Sequence, residues 1–288
     1  MSDTASRFVV SADWLQQRLA DPAIRILDAS FYLPAHKRDA EAEYAAGHIP
    51  GAIRFDQDRI ADHSTPLPHM VPTPEAFAEE VGRLGISDRH IIVVYDGIGL
   101  FASPRVWWLF RIMGAKNVFV LDGGLDGWKA EGRPLTTALP DFAPETFHAS
   151  LDASRVVDFE TMRRIVDTHA MQIADARGPG RFNGTEPEPR AGMRSGHMPG
   201  AVNLPSGVFA DKARFKSLPE LERIVTAPGI DLSKPVVTTC GSGITAANIT
   251  LALESLGHGD NKLYDGSWTE WGARPDTAVT TGKVMDKE

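Results

Sequence analysis

One cysteine, Cys240, is all that this chain of 288 residues contains. A single thiol excludes an internal disulfide framework and any paired-cysteine metal or redox motif. It makes a reducing compartment, the cytoplasm, the expectation. No apolar stretch approaches the roughly 20 residues needed to cross a bilayer. The start, MSDTASRFVVSADWL, has no basic segment leading into a long apolar run, so a secretory signal is not expected. Positive charge is also in the minority. A net charge of −8 argues against non-specific binding to nucleic acid or an anionic membrane. The nine histidines lie scattered, without close His or Cys partners, and offer no metal constellation. Gly97-Ile98-Gly99 lacks the later glycine of a dinucleotide fingerprint. Neither a metal nor a cofactor is expected.

What the chain does have is enough apolar residue, 42%, for real cores, a mixed-sign charged fraction of 24%, and length for about two domains. It also repeats itself. His48-Ile49-Pro50-Gly51-Ala52 returns as His197-Met198-Pro199-Gly200-Ala201, 149 residues later. Ile26-Leu27-Asp28-Ala29 returns as Ile173-Ala174-Asp175-Ala176 at an offset of 147. Val93-Val94-Tyr95-Asp96 matches Val237-Thr238-Thr239-Cys240 at 144, and Leu121-Asp122-Gly123-Gly124 with Trp128 matches Tyr264-Asp265-Gly266-Ser267 with Trp271 at 143. Four blocks in one order with a slowly drifting offset describe a duplicated domain with small insertions.

Each copy alternates short apolar runs with amphipathic stretches. In the second, strands are expected over 171–175, 202–204, 235–239 and 262–264, with a helix from Ile244 to Leu256 that stops at Gly257. In the first, strands are expected over 91–95 and 118–121 and a helix over 104–113. This alternation predicts an α/β fold of two tandem domains, each a mainly parallel sheet flanked by helices. The Pro-, Ala- and Thr-rich stretch after Arg133 sets the boundaries at 1–135, a linker at 136–155, and 156–288.

Cys240 ends an uncharged, β-branched run and opens Cys240-Gly241-Ser242-Gly243-Ile244-Thr245-Ala246. Ligands of open α/β sheets bind beyond the carboxyl ends of the strands. The two glycines let the loop curl with its N–H groups inward, and the following helix adds partial positive charge from the same side. Both favour an anion and should lower the thiol pKa, so that Cys240 is a thiolate. The other reading is a small buried hydrophobe, the usual state of a lone cysteine; the strand, glycine loop and helix around it weigh against that. The first copy has Asp96 at this place and keeps no nucleophile.

The doubled domain, the HxPGA boxes and the cysteine loop resemble the rhodanese superfamily. The loop is similar to that of its 3-mercaptopyruvate sulfurtransferases, with Ile244 where Val is usual. The resemblance runs from about Val10 to Trp271 and includes Ser103-Pro104-Arg105-Val106-Trp107-Trp108, Gly184-Thr185-Glu186-Pro187-Glu188-Pro189-Arg190 and Tyr264-Asp265-Gly266-Ser267-Trp268. It implies a sulfurtransferase that takes sulfur from 3-mercaptopyruvate onto Cys240 as a persulfide and passes it to a small thiol, thioredoxin or cyanide. It implies Arg181 and Arg190 as the keto-acid clamp, since a guanidinium fork grips a carboxylate bidentately. It implies Ser242, His69 and Asp58 as a hydroxyl, imidazole and carboxylate that move the proton. Gly241, Gly243, Ile244 and Thr245 then line the donor. The residues themselves do not separate His69 from His63 or His48, nor Asp58 from Asp56. They also leave open a surface pairing of Arg181 and Arg190 with Glu186 and Glu188.

Thiosulfate-using rhodaneses resemble one another in carrying basic residues directly after the cysteine, where this chain has Gly241 and Ser242. A thiosulfate:cyanide sulfurtransferase is therefore the rival reading. A cysteine phosphatase or arsenate reductase on this fold needs an arginine where Ala246 stands. A non-enzymatic sulfur carrier has no use for a keto-acid clamp. Arg177 to Arg190 is expected to be irregular, being rich in Gly and Pro. Trp107, Trp108, Trp128, Trp268 and Trp271 are expected in the cores. His48 and His197 are expected to be hydrogen-bonded structural residues.

Overall fold

The computed structural model describes residues 4–282. The chain forms two compact units: residues 1–62, 71–152 and 210–216 make the first, and residues 63–70, 153–209 and 217–288 the second.

The first unit holds a five-stranded sheet of β1 (Val9–Val10), β2 (Ile24–Asp28), β3 (Ala52–Arg54), β4 (Ile91–Tyr95) and β5 (Val118–Leu121). Their spatial order is β1-β5-β4-β2-β3, every pair parallel. The second unit repeats this with β6 (Val156–Val157), β7 (Gln172–Asp175), β8 (Ala201–Asn203), β11 (Val236–Thr239) and β12 (Asn261–Tyr264), ordered β6-β12-β11-β7-β8 and again all parallel. The remaining pair, β9 (Ala210–Asp211) and β10 (Arg214–Phe215), is a small antiparallel hairpin counted with the first unit. The duplication read in the sequence is thus a duplication of topology. Strands such as Ile91–Tyr95 carry apolar side chains on both faces because helices cover both sides of the sheet.

The stretch 136–152, within the segment read as a linker, runs along the first unit. Thr136 pairs with His48, Phe147 is buried beside Phe77 and Phe110, and the Ser150 N–H donates to the Met113 carbonyl. The exchange of residues 63–70 and 210–216 between the halves of the sequence was not anticipated by contiguous boundaries. Each exchanged segment follows the third strand of its copy.

Arg177 to Arg190 is not wholly irregular: Pro179–Asn183 makes a short helix. Proline at its first turn gives up an N–H that would have no partner anyway, and Gly184 closes it at φ +78°. The helix after Cys240 runs Ala246–Ser255, starting two residues later than Ile244 because Gly243 turns the loop at φ +81°.

All five tryptophans singled out above are at most 1% exposed. Trp107 lies edge-on to Phe8 and donates from Nε1 to the Val118 carbonyl at 3.1 Å, tying the helix Ser103–Ile112 to β5. Trp107→Ala should destabilise the chain by about 3–5 kcal/mol. A lower urea midpoint in circular dichroism would register that loss, and an unchanged midpoint would remove Trp107 from the core.

Candidate functional site

Strands β7 and β11 are neighbours at the centre of the second sheet, and their connections leave in opposite directions, to β8 and to β12. Open parallel sheets form a crevice at such a point, beyond the carboxyl ends. Thr239 and Asp175 pair across these two ends, so the residues that follow them, Cys240 and Arg177, start from the same edge.

Cys240 is buried, 1% exposed. Its main chain is hydrogen-bonded on both sides. Its N–H donates to Ser267 Oγ at 3.2 Å and its carbonyl accepts from the Trp268 N–H at 2.9 Å. Val237, on the strand before it, belongs to a hydrophobic cluster of this unit, and the burial of Cys240 is that of a core residue. The Gly241 carbonyl accepts from the Thr269 N–H at 2.8 Å and from Thr269 Oγ1 at 2.6 Å. Ser242 and Ile244 are buried, and Thr245 caps the helix that begins at Ala246.

The equivalent loop of the first unit shows what this geometry binds. Asp96, in the place of Cys240, accepts the Ile98 N–H on Oδ1 at 3.0 Å. Its Oδ2 accepts the N–H groups of Phe101, Ala102 and Ser103 at 3.0, 2.9 and 2.7 Å. Four main-chain donors converge on one buried carboxylate. The loop is a ready anion nest.

Both candidate arginines border the cysteine loop. A Cβ built on Gly241 would lie 3.0 Å from Arg181 Nη2, so the guanidinium rests directly against that glycine. Arg190 Nη1 reaches Thr269 Oγ1 at 3.3 Å, the hydroxyl that holds the Gly241 carbonyl. The alternative pairing also holds in part, since Arg181 Nε donates to Glu188 Oε2 at 3.1 Å, joined by Nη2. Arg181 is therefore both paired and at the site.

Behind it runs a chain of charges that the sequence reading missed. The Glu188 side chain, 3% exposed, accepts from Arg177 Nη1 at 2.7 Å through its other oxygen. Arg177, fully buried, also donates from Nη2 to Asp175 Oδ2 and to the Gly196 carbonyl, both at 2.7 Å. Its guanidinium lies 4.0 Å above the Trp268 ring. Burial opposes the charge on Arg177, but Asp175 and Glu188 outweigh it and hold its pKa above the ordinary value. The signal available was Glu188 as a partner for the two arginines, of which it takes Arg181. Nothing in the sequence tied Arg177 to it.

His69 belongs to the same compact unit as Cys240, buried and with φ +61°. Asp58 belongs to the first unit and is exposed. Its N–H donates to Asp56 Oδ1 at 2.9 Å, which makes Asp56 the turn-forming carboxylate of that pair. His48 and His197 are hydrogen-bonded: His48 Nδ1 lies 2.8 Å from the Tyr44 carbonyl, and His197 Nδ1 lies 2.8 Å from the Phe182 carbonyl. His197 also stacks on Phe182 at 3.8 Å, so its box steadies the turn that carries Arg181. Among the described residues, no group of three or more His, Cys, Asp or Glu could hold a metal ion.

The profile of the rhodanese-like domain matches residues 11–131 and again 158–274. The 3-mercaptopyruvate sulfurtransferase of Rattus norvegicus is 42% identical over 286 residues, covering 96% of each chain. That of Escherichia coli (strain K12) is 40% identical over 276 residues, covering 96% of this chain and 98% of its own. The thiosulfate sulfurtransferase of Bos taurus is 41% identical over 287 residues, covering 96% of each. The crystal structure of SseA from Escherichia coli, described as a 3-mercaptopyruvate sulfotransferase with the rhodanese fold, superposes with a TM-score of 0.84. It is 38% identical and covers 91% of this chain and 98% of its own.

Burial holds the pKa of His197 below its ordinary 6.5, against the pull of the Phe182 carbonyl. The folded chain keeps this ring neutral where the unfolded chain takes up a proton. Its contribution is complete above the unfolded pKa and is lost as the pH falls below it. Between about pH 7 and 5.5, the melting temperature should fall more in the wild type than in His197→Gln. Equal slopes would mean that His197 takes up its proton as readily folded as unfolded.

Proposed function

The chain belongs to the rhodanese-like family in both of its halves, and from that premise we propose that it is a 3-mercaptopyruvate sulfurtransferase whose second unit carries sulfur on Cys240. The observation that carries this reading is the meeting of three groups at Gly241: the cysteine before it, the Arg181 guanidinium against it, and Arg190 on the hydroxyl that holds its carbonyl. A thiol nucleophile in an amide nest with two cations beside it suits a small anionic sulfur donor.

Relatives named for mercaptopyruvate and for thiosulfate share nearly the same identity with this chain, so overall similarity does not choose the donor. The loop does. With Gly241 and Ser242 after the cysteine, the positive charge is brought to the loop by Arg181 and Arg190 rather than carried within it. That arrangement fits a donor whose carboxylate and ketone lie away from its thiol.

In the proposed reaction Arg181 and Arg190 hold the carboxylate and polarise the ketone, while Gly241, Gly243, Ile244 and Thr245 line the donor. The Cys240 thiolate attacks the donor sulfur, and an S–S bond forms as the C–S bond breaks. The C–S electron pair leaves on carbon as the enolate of pyruvate. The proton of the donor thiol passes to that enolate, leaving Cys240 as an anionic persulfide. The Asp96 nest supports this product, because the first copy of the same loop already holds an anion by main-chain amides. A small thiol, thioredoxin or cyanide then takes the outer sulfur. A reducing compartment such as the cytoplasm keeps the lone thiol available.

Ser242, His69 and Asp58 carry the proton in this scheme, as the family resemblance assigns. The duplication supports His69 over His63 and His48. Ala213 occupies the matching place in the exchanged segment 210–216, likewise at positive φ, +66°, and its Cβ packs over Gly99 in the Asp96 loop. His69 stands in segment 63–70 of the Cys240 unit as Ala213 does in the Asp96 unit.

After exposure to 3-mercaptopyruvate, the peptide containing Cys240 should gain one sulfur atom in mass spectrometry, and Cys240→Ser should neither gain it nor turn over. Turnover with an unmodified peptide would end the mechanism. Arg181→Ala should lower kcat/KM for mercaptopyruvate by about 100-fold, the order lost with a charge-assisted hydrogen-bond pair. A smaller loss is expected for thiosulfate. Equal losses for the two donors would deny Arg181 its carboxylate.

A further inference from the structure

Glu188 is placed to do more than pack. Its two oxygens are divided between two guanidiniums, Oε1 on Arg177 at 2.7 Å and Oε2 on Arg181. Asp175 already matches the charge of Arg177 within the same cluster, through both carboxylate oxygens. Glu188 therefore offsets Arg181. The two arginines at the cysteine loop, Arg181 and Arg190, together present one net positive charge to a donor rather than two.

We infer that Glu188 is a specificity-determining residue that fits the donor site to a single negative charge. The inference rests on the reading of Arg181 and Arg190 as the donor clamp. A keto-acid donor brings one carboxylate and meets a site of matching charge. Thiosulfate brings two negative charges to the same site, where Glu188, nearly sealed from water, has reduced the net positive charge to one and leaves the second without a partner. The same carboxylate is a positioning residue. Its Oε2, accepting from both Nε and Nη2 of Arg181, fixes that guanidinium against Gly241, and Arg177 anchors it in turn to Asp175, the Gly196 carbonyl and the Trp268 ring. The device works by selecting against the wrong donor as well as for the right one.

The test is Glu188→Gln, assayed with 3-mercaptopyruvate and with thiosulfate, with circular dichroism to follow the fold. The ratio of kcat/KM for mercaptopyruvate to that for thiosulfate should fall by about tenfold, the order expected for one unit charge at a partly solvated site. Most of the change should be a lower KM for thiosulfate, and the effect should shrink with added salt. A residue that merely supports the fold would lower both activities together and leave the ratio unmoved. If Glu188→Gln does not fold, Glu188→Met replaces it. It removes the same charge at a similar side-chain length, and the same direction of change is expected. A third arm needs no variant: pyruvate should compete with mercaptopyruvate more strongly than sulfate does in the wild type. An unchanged ratio in whichever variant folds, or sulfate competing as well as pyruvate, overturns the inference. Absence of any mercaptopyruvate turnover by the wild type would instead overturn the reading on which it rests.

Discussion

Main-chain N–H groups that emerge where a strand stops and a helix starts have no partner in either element, and in a buried loop each must find an acceptor or remain a cost of about 1–3 kcal/mol. This chain answers that requirement differently in its two units. In the first unit the acceptor is built in: the Asp96 carboxylate takes four N–H groups and closes the loop on itself. In the second unit the same position is Cys240, whose side chain carries a full charge only as thiolate or persulfide. On the proposed reading, the matching loops are a finished structural element in one copy and a site completed by a thiolate or persulfide in the other.

The charge chain behind the second loop has its own logic. A fully buried arginine is tolerable only when every face of it is satisfied, and Arg177 has two carboxylates, a carbonyl and an indole ring around it. Removing any one partner leaves an ion in low dielectric, so the arrangement is rigid. Rigidity there is useful because Trp268 touches both ends of the site: its N–H meets the Cys240 carbonyl while its ring lies under Arg177. Cys240 and the arginine that anchors Glu188 are thus referenced to one side chain. The reading of Trp268 as core packing was right about its burial and silent about this second task.

Much of the fold was legible because the duplication printed it twice. Short apolar runs such as 91–95 and 236–239 read as buried strands, and the boxes around His48 and His197 read as turns, since each had a second example in the chain. Cys240 stood out by local pattern, a lone thiol before two close glycines, whereas Arg181 and Arg190 were picked out by the family resemblance, in a segment able to reach the same edge. What the sequence could not display was partnership across distance. Asp175, Arg177 and Glu188 lie close in number, but their joining depends on how the short helix Pro179–Asn183 folds back, and that helix was itself masked by its Gly and Pro content. The exchange of segments 63–70 and 210–216 was invisible for a related reason. A loop carries no periodicity, so nothing local states which sheet it will lie against.

The exchange also explains why the histidine was the weakest assignment at the level of residues. His63, His69 and His48 are equivalent as letters. They part once topology is known: His48 has both ring nitrogens within hydrogen-bonding distance of carbonyls, and the other two fall in the segment carried to the cysteine's unit. Of these, His69 alone has a positive φ, matched in the first unit by Ala213 against Gly99. A side chain held at φ +61° is a conformation that favours glycine. On the proposed reading, a buried imidazole held there in the unit of Cys240 is strain retained for placement rather than for stability. In the first unit, where Asp96 replaces the cysteine and the scheme has no proton to move, the matching residue is alanine.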